Sequence, residues 1–127
     1  TAEQREYLKI NDLISRRFSD DLEKGEAYMQ AVEMVQTLNL TPEKRPRYAD
    51  LLYRMAFDLV NLNTVDHGRV EGFIEFILRE GYCLPYSEPV ITEPGRQAKP
   101  IRHAVRSDFE ILLVELKRGS SLFSRKH

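Results

Sequence analysis

The sequence predicts an all-α protein, a bundle of about five helices around a central helix at 47–63, with a long Pro-rich loop at 81–99. Three observations predict it. Over 47–63 the polar residues Arg47, Asp50, Arg54, Asp58 and Asn61 recur every three or four positions, a single stripe along a helix. The rest of that stretch is apolar round most of its circumference, as in a helix buried by neighbours on several sides. The flanking stretches repeat apolar residues at helical spacing, and cap and stop residues stand between them.

The elements follow in order. Over 2–18, Tyr7, Ile10, Leu13, Ile14 and Phe18 share a face. Ser19 or Asp20 suits a helix N-cap, and Asp20 with Glu23 matches capping-box spacing. The second helix lines up Tyr28, Ala31, Val32, Val35 and Leu38, and its phase is close enough to the first for one long kinked helix. Asn39-Leu40 ends that unit. Thr41-Pro42-Glu43 reads as a short helical start that Pro46 interrupts, because the residue before a proline avoids helical geometry. The central helix then buries Leu52, Met55, Leu59 and Val60 and exposes Asp50, Arg54 and Asp58. Thr64 or Asp66 caps a fourth helix with Val70, Phe73, Ile74 and Ile77 inward, and Gly81 ends it. Three of the six prolines fall in 81–99, where Val90-Ile91-Thr92 suits a short strand and Pro94-Gly95 a turn. A last helix over 100–118 aligns Ile101, Val105, Phe109, Leu112, Leu113 and Leu116, closed by Gly119, with a loose basic tail at 119–127.

Residues 1–127 read as one domain, with a charged fraction of 31% that suits a globular chain. The net charge of −1 excludes a polyanion binder acting by bulk charge. Acids nevertheless outnumber bases over 1–40 and bases outnumber acids over 81–127. A single cysteine, Cys83, forms no internal disulfide, which points to a reducing, cytoplasmic setting. No apolar run is long enough for a membrane span. No signal-peptide pattern is visible, and a start at Thr1 leaves room for an upstream segment.

For chemistry, Asp66, His67 and Glu71 have partial metal-ligand spacing, but a capping Asp beside an exposed His accounts for them. Cys83 has no neighbouring group to activate it and reads as an idle thiol. No cofactor motif, metal site or catalytic constellation is assigned. The expected partner is a protein, met by Tyr82, Tyr86, Val90 and Ile91 on a Pro-stiffened loop that loses little entropy on docking. The alternative is nucleic acid, met by Arg96, Lys99, Arg102 and Arg106; the last two lie one turn apart near a helix start, where the helix dipole disfavours cations.

Asp108 followed by Glu115-Leu116-Lys117 resembles the metal-dependent nuclease family named for its PD-(D/E)xK motif. The resemblance covers residues 108–117. It implies acids that hold a divalent metal, a Lys that orients the attacking water, and a strand at 109–117. In a helix, residues 108 and 115 are about 10 Å apart along the axis and Lys117 is rotated by about 200° from Glu115. The upstream apolar phase favours the helix. The sequence is therefore read as a non-catalytic interaction module: a regulator, adaptor or assembly subunit.

Overall fold

A computed structural model describes residues 2–85 and 103–125. Among them, five α-helices follow one another: α1 (Ala2–Ile14), α2 (Asp21–Gln36), α3 (Ala49–Val60), α4 (His67–Glu80) and α5 (Arg106–Arg125), with a 3-10 turn at Arg45–Tyr48 before α3. The protein is an all-α bundle. No described helix is long and apolar enough to cross a membrane.

Local chemistry sets most of the helix ends. Asp20 caps α2 by accepting from the Glu23 amide at 2.8 Å, while the Glu23 carboxylate reaches back to the Ser19 amide at 3.0 Å. Those bonds from the Ser19 hydroxyl and amide hold the Glu23 carboxyl below its ordinary pKa. They also separate α1 from α2, so the two are not one kinked helix. α1 ends at Ile14, earlier than expected; Phe18 lies in the linker and meets Tyr28 edge-on at 6.2 Å. Pro46 has no amide hydrogen for an α-helical bond, and the chain there forms the 3-10 turn, so the central helix is shorter than the 47–63 stretch. Asp66 caps α4 through the Gly68 amide at 2.9 Å. Gly81 ends it in the left-handed region, φ 73°, letting the Tyr82 amide donate to the Ile77 carbonyl at 3.0 Å.

α3 packs against α2, α4 and α5, while α1 packs on α2. Leu52, Met55, Ala56 and Leu59 are fully buried on it. The polar stripe is only partly solvent-facing. Arg54 and Asp50 are exposed, but Asp58 is half-buried and accepts from the Tyr28 hydroxyl at 2.5 Å. Burial, and then Asp58, push the Tyr28 phenol well above its ordinary pKa. Val60, expected in the core, is half-buried, and Phe57 is exposed. A 12-residue helix cannot bury every apolar side chain when its neighbours leave one sector open.

α5 begins at Arg106, and residues 103–105 of the helix expected over 100–118 lie outside it. The Asp108 carboxylate accepts from the Val105 amide at 2.9 Å, which makes Val105 the cap. The helix runs through Gly119 to Arg125, so the helix stop and loose tail expected from 119 are corrected over 119–125. A glycine inside a helix costs only about 1 kcal/mol relative to alanine, too little to enforce a stop. α5 runs alongside α3 in the same direction, with Ala104 at Asp50 and Phe109 at Tyr53. It runs opposite to α4: Arg106 donates to the Leu78 carbonyl and Lys117 pairs with Glu71.

Candidate functional site

The stretch FEILLVEL carries more apolar side chains than one helix face can bury. Phe109, Leu112 and Leu116 fill the core and Leu113 is half-buried. Ile111 and Val114 are left outward, each 56% exposed. They sit in a shallow hollow with Ser107, Glu110, Glu115 and Arg118, all on the side of α5 that faces away from the bundle. Glu110 pairs with Arg106 one turn back at 3.7 Å; both side chains are more than half exposed. Lys117 turns away toward α4 and meets Glu71 at 3.5 Å. Among the described residues the other exposed large apolar side chains, Leu8, Leu22 and Phe57, belong to α1, α2 and α3 one each. Single exposed apolar residues are ordinary, whereas two adjacent ones on one helix make a patch.

Next to the start of α5, the Asp50 carboxylate on the first turn of α3 accepts from the Ala104 amide at 2.7 Å and meets His103 Nδ1 at 2.8 Å. Partial burial acts to raise the Asp50 pKa, but the Ala104 amide and then the bond and charge of His103 outweigh it, and the carboxyl lies below its ordinary value. Two hollows share Asp50. One is lined by Tyr53, Ala104 and Asp108, the other by Pro46, Arg47, Ala49, Leu84 and His103. A carboxylate on Nδ1 is also the arrangement that orients a general-base histidine. Here the same carboxylate spends its other oxygen on a backbone amide, so the pair fastens residues 103–104 to α3. Beside it, Leu84 and Val105 form a parallel bridge, with the Arg106 amide donating to the Leu84 carbonyl at 2.7 Å.

The residues expected at a binding site are placed as follows. Tyr82 is a core residue, 2% exposed; its ring stacks on Phe76 at 5.6 Å and meets Tyr48 edge-on at 6.5 Å. Arg45 lies over that ring at 5.7 Å and donates to the Glu80 carbonyl at 3.0 Å, fastening the end of α4. Tyr82 is thereby removed from the expected binding surface. Tyr86, Val90, Ile91, Arg96, Lys99 and Arg102 lie outside the described residues. Arg106 is engaged within the protein, by the Leu78 carbonyl at 3.2 Å and by Glu110.

Cys83 is buried, and burial pushes its thiol pKa up against the opposing charge of Arg106. His67 is half-buried beside the Leu62 carbonyl at 3.4 Å, and Asp66 acts as the α4 cap. Among the described residues no three His, Cys, Asp or Glu side chains gather as a metal site. The nuclease resemblance needs a strand at 109–117. That stretch is helical, Asp108 sits in its first turn and accepts from the Val105 amide, and Lys117 is paired with Glu71.

The outer face of α5 is legible in part from the sequence. Ile111 and Val114 fall off the face of Phe109, Leu112 and Leu116, and that apolar surplus is the signal. Comparison with protein-family models, with curated proteins and with solved structures finds no match to this chain.

Proposed function

We propose that this protein is a non-catalytic protein-interaction module, a regulator, adaptor or assembly subunit, and that it docks its partner on the outer face of α5. The observation that carries this reading is the pair Ile111 and Val114, held in the open on a helix whose opposite face is locked into the core. Covering two exposed aliphatic side chains removes apolar area from water at about 25 cal/mol per Å². The flanking Glu110, Glu115 and Arg118 supply orientation and partner choice. Because the helix is already ordered by Phe109, Leu112 and Leu116, little conformational entropy is lost on docking. We infer a reducing, cytoplasmic setting, supported by one free, buried thiol.

The test is affinity capture from the native source, with and without nuclease, comparing the natural sequence with an Ile111→Glu/Val114→Glu double variant. A nuclease-resistant partner lost from the variant is the expected result. Capture that the variant does not disturb would overturn the α5 assignment. Capture abolished by nuclease would favour the alternative, a nucleic-acid-binding accessory protein acting through Arg96, Lys99, Arg102 and Arg106.

A further inference from the structure

The outer face of α5 carries charge in a definite order. Glu110, Val114 and Arg118 are spaced four apart, so each follows the last by little more than one turn and the three form one stripe. Ile111 widens its apolar centre. A stripe that runs acid, apolar, base is complementary to itself when turned end for end, and it is not complementary to itself in parallel. We propose that the partner of this face is a second copy of the chain, with the two α5 helices antiparallel across a two-fold axis at Val114. This rests on the docking reading above and names the partner.

In that arrangement each Glu110 meets the other copy's Arg118, Val114 meets its own counterpart, and Ile111 lies against the aliphatic stem of the opposing Arg118. Arg118 has no ion pair among the described residues. The Glu110–Arg106 contact is exposed and long, so Glu110 can turn to a new partner at little cost. The two Glu115 side chains approach each other beside the axis, which opposes association. The contact is small, and weak association suits an interface of this kind.

Sedimentation equilibrium on the purified full chain from about 10 µM to about 1 mM tests the pairing. The natural sequence should dimerise, and Val114→Glu should be monomeric with an unchanged thermal melt. Glu110→Arg should weaken the dimer by about tenfold, Glu110→Arg with Arg118→Glu should restore it, and Glu115→Gln should tighten it. With Cys83→Ser in the background, Val114→Cys should oxidise to a disulfide-linked dimer, because a residue on the axis faces its own copy. A natural sequence that stays monomeric throughout, or a charge swap that fails to restore association, overturns the second-copy assignment. Neither result touches the capture experiment, which separately decides whether this face docks a different protein.

Discussion

The Asp50 carboxylate and the Ala104 amide are joined at 2.7 Å across 54 positions of sequence. That bond fixes the approach to α5 on the first turn of α3. Asp50→Ala leaves the amide of buried Ala104 unpaired and should cost about 1–3 kcal/mol. Asp50→Asn keeps an acceptor oxygen and should cost less. His103→Ala removes only an exposed pair and should cost under about 1 kcal/mol. Urea unfolding of the three variants gives the order; a larger loss for His103→Ala than for Asp50→Ala would reverse the assignment.

The same group sets an acid dependence. The folded pKa of Asp50 is depressed, so its contribution is fully present above the unfolded value, about 3.9. It is lost as pH falls through the lower folded value. The stability gap between the natural sequence and Asp50→Asn should therefore be open above about pH 5 and close progressively below about pH 4. Denaturant midpoints across that range check the sign; a gap that widens on acidification would contradict it.

Leu59 is completely buried on α3, whereas Phe57, two positions earlier, is 47% exposed. Leu59→Ala should cost about 2–5 kcal/mol as a large-to-small change in a packed core. Phe57→Ala, although it deletes more atoms, should cost less, because much of that ring already meets water. Thermal melts of the two variants should rank in that order.

Glycines in α2 and α4 should respond oppositely to alanine. A Cβ on Gly25 would stand 2.9 Å from Val65 Cγ1 and 3.0 Å from Thr64 Oγ1. Thr64 is held by its bond to the Asp21 carbonyl at 2.8 Å and has little room to give. Overpacking of about 1–3 kcal/mol should outweigh the helix-propensity gain of about 1 kcal/mol, so Gly25→Ala destabilises. A Cβ on Gly72 would meet nothing within 4 Å, and Gly72→Ala should stabilise by about 0.5–1 kcal/mol. Differential scanning calorimetry should show one melting temperature falling and the other rising.

Features set by near neighbours are legible in the amino-acid order itself. The Asp20 and Asp66 caps, the Gly81 stop and the buried stripe of Leu52, Met55 and Leu59 all depend on residues within a turn or two. What escapes such a reading depends on distant residues or on small energies. Tyr82 sits in a stretch with no helical period, so nothing local reveals that Phe76, Tyr48 and Arg45 enclose its ring. Asp50 reads as part of a solvent stripe because its partners lie more than fifty positions away. Gly119 reads as a terminator, yet a local preference of about 1 kcal/mol carries no information about what the helix does next. On α5, periodicity assigns Phe109, Leu112 and Leu116 correctly, but it cannot say that Ile111 and Val114 stay exposed.

The parallel bridge between Leu84 and Val105 closes the stretch of chain between them at a single point. The entropy of closing such a loop grows only with the logarithm of its length, and doubling the stretch between the two residues adds roughly 0.6 kcal/mol. Lengthening the chain between Leu84 and His103 therefore costs the closure at this bridge little entropy, provided the bonds of His103 and Ala104 to Asp50 are kept.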